Sequence, residues 1–126
     1  MIPDDRANLR RDRRLRRLIL QTLYRARVGP MKGLYGNRLL EMVEDAVTPG
    51  DHLHGDAIEF AGLTTYLVGQ GYVKETDTRT RHSQAWAIGY LFFAILPQGE
   101  RLVEEAIGPD PMIADDRIVH DAAGGH

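Results

Sequence analysis

The chain contains no cysteine, which excludes disulfides and thiolate-based zinc sites and is compatible with a reducing compartment. It has a single serine, Ser83, which falls at the tip of an expected hairpin, so a serine or cysteine nucleophile of the usual kinds is not expected. Long apolar runs are also missing. The longest, Ala85 to Leu96, has 12 residues, well short of the roughly 20 that a membrane-spanning helix needs. The basic N-terminus lacks the apolar core and small-residue cleavage site of a signal peptide. A cytoplasmic protein without a membrane role is expected. No Gly-Lys-Ser/Thr phosphate loop joins a strand to a helix. The paired carboxylates Glu104-Glu105 and Asp115-Asp116 are adjacent, so on a helix they diverge by about 100°. Neither catalysis nor a cofactor is expected.

What is present is a charge split. Residues 1–38 carry eleven Arg/Lys against three aspartates (net +8), and residues 39–126 carry five against fifteen acids (net −10). Such asymmetry points to a basic element for a polyanion, or for the acidic part of another copy of the chain. At 126 residues the chain is long enough for one domain with its own core.

Apolar positions at 15, 18, 19, 23 and 26, with Thr22 between them, repeat at helical spacing. A first helix is therefore predicted from about Arg6 to Arg27, opened by Asp4-Asp5 and stopped by Gly29-Pro30. Its N-terminal half holds seven arginines in twelve residues, including Arg10, Arg11, Arg13, Arg14, Arg16 and Arg17. They surround the helix, which predicts that this half projects beyond the body. Two readings stand at this point: a phosphate-binding arm, or a solvated extension pairing with acidic residues nearby. Gly29 to Gly36 reads as a loop. Asn37 is the expected cap of a second helix, Arg38 to about Val47, buried through Leu39, Leu40, Val43 and Val47.

Asp51, His52, His54 and Asp56 invite a metal reading, but histidines at i, i+2 ligate together only from an extended segment. A turn is expected instead, with no metal, Asp56 capping a third helix and Glu59 completing a capping box. That helix, Ala57 to about Gln70, should be anchored by Ile58, Leu63 and Leu67 with Phe60 or Tyr66, leaving Glu59, Gly62, Thr64, Thr65 and Gly69 exposed. It offers no Arg or Lys for guanine and no Asn for adenine. Gly71 should end it through a positive φ. A strand over Tyr72–Thr78, a basic tip carrying Arg79, Arg81 and His82, and a return strand over Ala85–Leu96 form the expected hairpin. The return strand is apolar on both faces, so a second subunit or the first helix is expected to cover one of them. A fourth helix, Gly99 to Ile107, is followed by a tail in which Ile113, Ile118 and Val119 can dock on a neighbouring surface.

The run Leu63-Thr64-Thr65-Tyr66-Leu67-Val68-Gly69-Gln70-Gly71-Tyr72-Val73 resembles the recognition helix and turn of MarR-like and PadR-like winged-helix proteins. Ile95 to Leu102 is similar to their closing strand-to-helix step, with Pro97 where threonine is usual. Arg17-Leu18-Ile19-Leu20 and Gly108-Pro109-Asp110-Pro111 also resemble, more loosely, small winged-helix proteins of Mu-like prophages. The resemblance implies a mostly helical α+β fold, a winged helix-turn-helix with three N-terminal helices, a hairpin wing and a C-terminal helix. On this reading residues 1–14 are a basic extension, 15–107 the winged-helix domain and 108–126 a tail. It further implies a dimeric protein that binds double-stranded DNA, as a transcriptional regulator or a nucleoid- or phage-DNA-associated protein. The arginines 10, 11, 13, 14, 16 and 17 would then bind phosphate with Arg79 and Arg81, while Thr64, Thr65 and Tyr66 make groove contacts. The alternative is a winged-helix module that binds protein and not DNA.

Overall fold

A computed structural model describes residues 5–80 and 87–114. The elements run α1 (Asp5–Ala26), β1 (Leu34–Tyr35), α2 (Gly36–Ala46), a 3-10 turn (Pro49–Asp51), α3 (Ala57–Gly69), β2 (Val73–Asp77), a 3-10 turn (Ile88–Tyr90), β3 (Leu91–Ile95) and α4 (Pro97–Val103). The fold is α+β: four helices and a three-stranded antiparallel sheet of order β1-β3-β2 among the described residues. Leu34 pairs with Phe93 on one side of β3, and Val73 pairs with Ile95 on the other.

The helical stripe of α1 is the spine of the core. Leu15, Ile19, Leu20 and Leu23 are fully buried, and α1 touches α2, α3, α4 and β3. Phe60, Leu63 and Leu67 of α3, Leu39 and Val43 of α2, and Phe93 of β3 close around it. Burying each such side chain contributes about 1.5–3 kcal/mol. The third helix ends as its sequence predicts. Gly71 sits at φ 78°, its N–H donates to the Val68 carbonyl, and the Tyr72 N–H reaches back to the Leu67 carbonyl, the two bonds of a Schellman closure. Tyr72 then accepts from the Leu96 N–H at 2.9 Å. α4 crosses so near this point that a Cβ on Gly99 would strike the Tyr72 carbonyl oxygen.

Several expectations are corrected. The segment read as a loop holds β1, which runs straight into α2, so Tyr35 and not Asn37 stands at the cap, with no side-chain hydrogen bond. In α3 the buried set is Phe60, Leu63, Thr64 and Leu67, a regular i, i+3, i+4, i+7 stripe. Ile58 lies two residues out of that phase and is 83% exposed, so it is no anchor. Thr64, expected outside, completes the stripe and satisfies its hydroxyl on the Ala61 carbonyl at 3.1 Å. Asp56 does cap the helix, accepting from the Ile58 and Glu59 N–H groups. The box stays half made, because the Glu59 carboxylate turns to Arg11.

The apolar return segment is not one long strand. Ile88 to Tyr90 form a 3-10 turn and only Leu91 to Ile95 are strand, while Ala85 and Trp86 lie outside the described residues. Ile88 is buried against the start of α2, where a Cβ on Gly36 would strike it. The outward face of β3 reduces to Phe92 and Ala94, both half-buried, with the Phe92 ring packed edge-on against Tyr35 at 5.2 Å. α4 starts at Pro97 and stops at Val103, four residues short of Ile107. Glu105 supplies the left-handed closing residue at φ 61°, and the Ala106 N–H returns to the Arg101 carbonyl. Beyond it the chain folds back onto the body: Ile113 is buried, and the Ala114 N–H donates to the Arg13 carbonyl at 3.0 Å. Ile118 and Val119 lie outside the described residues.

Candidate nucleic-acid interface

The basic half of α1 does not project from the body. Three segments distant in sequence converge on it: the turn before α3, the first turn of α3, and residues 110–114. Arg14 makes a two-pronged contact with the Asp51 carboxylate at 2.7 and 2.8 Å. Such a fork matches the planar guanidinium to the carboxylate and strengthens both bonds. Arg11 pairs with the Glu59 carboxylate and also donates to the His52 carbonyl at 3.1 Å. Arg16 donates to the Met112 carbonyl at 2.9 Å while its guanidinium lies 4.8 Å from the centre of the Tyr66 ring, a cation–π distance. Arg17 is buried, and with Arg14 it lines a cleft of about 270 Å³ against the C-terminal end of α2. Arg13 is half-buried, with an Nε that finds no partner among the described residues. Of the six arginines expected to bind phosphate from this helix, Arg10 and Arg14 have largely open side chains.

Charge and protonation follow from these pairs. The Arg14 hydrogen bonds hold the Asp51 carboxyl below its ordinary value against the opposing effect of burial. Arg11 is raised by its hydrogen bond to Glu59, again against burial. Burial pushes the Glu44 carboxyl up, but the His52 ring at 2.7 Å and the Leu53 N–H outweigh it and leave Glu44 below its ordinary value. The cluster that invited a metal reading is thus tied into the fold: Asp51 by Arg14, His52 by Glu44, Asp56 by the start of α3. Among the described residues no three His, Asp or Glu side chains are grouped to hold a metal ion.

A second anchor lies behind Arg16. The buried Asp110 carboxylate accepts from the hydroxyls of Tyr66 (2.8 and 2.9 Å) and Tyr72 (2.8 Å) and from the Met112 N–H (2.8 Å). Burial, and then the bond to Asp110, push the Tyr72 hydroxyl far above its ordinary value. Asp110 stands in the Gly108–Pro111 run without an expected anchoring role; its one signal is a carboxylate set between two prolines, Pro109 and Pro111, where a turn is expected.

The proposed groove-reading residues of α3 are not brought together on an open face. Thr65 is exposed and bonds the Ala61 carbonyl at 2.7 Å, Thr64 is buried, and the Tyr66 hydroxyl is held by Asp110. The open surface of α3 consists of Ile58, Gly62, Thr65 and Gly69, with no cation. On the hairpin, Arg79 is paired with Asp77 at 2.6 Å, and Arg81 lies outside the described residues. Among the described residues no helix is long and apolar enough to cross a membrane. No protein-family model, curated protein or solved structure matches the chain.

Proposed function

We propose that this chain is a winged-helix module, without catalytic activity and cytoplasmic, that works by binding another protein. Two features support the winged-helix reading. The order helix, strand, helix, helix, strand, strand combines with the sheet order β1-β3-β2, and a hairpin follows α3 directly through Gly71. The observation that carries the choice of partner is that Arg11, Arg14 and Arg16 of the basic half of α1 are already engaged, Arg11 and Arg14 by the chain's own Glu59 and Asp51 carboxylates and Arg11 and Arg16 by carbonyls at 52 and 112. A phosphate backbone would have to displace contacts already made, and its affinity comes from cations free to release counterions. The open face of α3 offers no Arg or Lys for guanine and no Asn for adenine. Titration of random-sequence duplex at two salt concentrations tests the reading. Weak binding, with a salt slope near zero or one, is expected. Tight binding whose affinity falls steeply with salt overturns it.

Double-stranded DNA, bound by a homodimer chiefly through phosphate, is the second reading. It is favoured by Arg10, which is exposed, and by Arg14, whose side chain is 51% exposed despite its pairing. If it holds, replacing Arg10, Arg13 and Arg14 by alanine reduces the salt slope by one to three, each neutralised phosphate adding about 0.9.

A further inference from the structure

The opposite end of α1 carries a groove for which none of the contacts above has a use. Its floor is apolar: Ala26 from the last turn of α1, Met31 from the following turn, Leu34 from β1 and Met42 from α2. Arg25 and Arg38 flank it, and it encloses about 420 Å³, inside the range of roughly 300–1,000 Å³ typical of ligand pockets. We infer that this groove takes an acidic, amphipathic peptide segment of a partner protein. The inference rests on the protein-binding reading and names the surface and the chemistry of the partner.

Charge complementarity selects that occupant. Arg25 is exposed, and the bond made by its Nε is to the Gln21 carbonyl of its own helix at 3.3 Å. Among the described residues Arg38 pairs with Glu41 one turn away, both side chains more than half exposed, a contact that an incoming carboxylate displaces at little cost. No carboxylate lines the groove among the described residues. Lys32 adds a third exposed cation on the same turn. The apolar floor separates a peptide from a nucleic acid, since phosphate and sugar gain nothing from two methionines, whereas leucine or phenylalanine side chains do. Methionine adapts its shape to such guests. Beside the groove the apolar surface continues in Val28, 80% exposed, and in the outer part of Met31. The turn is also built to hold its shape. A Cβ on Gly33 would strike the Phe93 carbonyl oxygen and the Phe92 ring, and Lys32 holds a left-handed φ of 60°.

Selection of random displayed peptides on the immobilised full chain, with counter-selection on the Arg25→Glu/Arg38→Glu double variant, tests the inference. Enriched peptides are expected to combine Asp or Glu with Leu, Ile, Met or Phe. They should bind the double variant about tenfold or more weakly, as loss of close charge pairs does, and shift the amide resonances of Ala26, Met31, Leu34 and Met42. Met31→Asp, which leaves both arginines in place, is expected to weaken binding as well. Unchanged denaturation midpoints for these surface variants show that they fold. No enrichment over the counter-selected variant overturns the inference. Enriched peptides that instead shift α3 also overturn it, while leaving the protein-binding reading intact. Salt-sensitive shifts at Arg10 and Arg14 on adding random duplex overturn the broader reading. Concentration-dependent shifts of the groove without peptide assign it to a second copy and overturn the inference.

Discussion

The two ends of α1 both carry arginine, densely at the N-terminal end and sparsely at the C-terminal one, and use it differently. At the N-terminal end Arg11, Arg14 and Arg16 each reach a different distant segment. Just past the C-terminal end Arg27 meets Glu100 at 3.3 Å, but among the described residues Arg25 and the nearby Arg38 bond only within their own helices, beside an apolar groove. The denser cluster is therefore the less available one. Arginines that meet carboxylates across the fold tie it together, whereas the two left at the edge are the ones proposed to meet another molecule.

This contrast can be broken at several points. The largest effect is expected at Asp110, whose replacement by alanine leaves the Tyr66 and Tyr72 hydroxyls without their acceptor. A loss of about 3 kcal/mol is expected in chemical denaturation, from orphaned buried donors each worth about 1–3 kcal/mol. The fold-back at 110–114 over the basic half of α1 should open with it, seen as faster amide exchange at Ile113 and Ala114. A loss below 1 kcal/mol would show that the fold-back does not tie down that end.

Arg14→Ala comes next. Its fork on Asp51 is charged on both sides, but the arginine is half exposed, so solvent screening reduces the effect to about 1 kcal/mol. Asp51 is the better reporter. With Arg14 gone, its carboxyl should titrate at higher pH, which a carbon-detected NMR titration measures. The sign follows from linkage: a folded-state carboxyl held low contributes stability above its unfolded pKa of about 3.9, and loses it as pH falls through the depressed value. Asp51 and Glu44 are both held low. Acid unfolding should accordingly begin at higher pH in Arg14→Ala than in the unaltered chain.

The smallest effects sharpen the comparison from the other side. Arg25→Ala is expected to change stability by less than about 0.5 kcal/mol, the ordinary range for a surface position, since no carboxylate lines its groove among the described residues. Ile58→Ala is expected to be equally mild, because the side chain is 83% exposed. A cost of 2 kcal/mol or more at Ile58 would restore it to the core and overturn the phase assigned to α3.

Much of the fold was legible in local pattern. The spacing of Leu15, Ile19 and Leu23 marks α1, Gly71 marks the end of α3, and Asp56 marks its start, because each acts on the backbone within a few residues. β1 was not legible: two residues, Leu34 and Tyr35, become strand only because Phe93 and Phe92 lie opposite. The division of the apolar run was hidden for a related reason. Ile88 and Leu91 are alike in hydrophobicity, but one meets the start of α2 and the other the sheet. At the candidate site, the density of arginine was plain, while the pairing of Arg11 and Arg14 was visible only as an excess of acids with no addresses.

By itself the sequence determined the course of α1, both ends of α3, which residues are apolar enough to be buried, and that two oppositely charged halves share one chain. Those properties depend on neighbours within one or two turns. Only the tertiary structure decided that Asp51, Glu59 and the 110–114 segment meet the basic half of α1 and that Arg25 and Arg38 do not meet them. Hydrogen bonds and ion pairs act over a few ångströms of space, and that proximity exists only once the helices have packed.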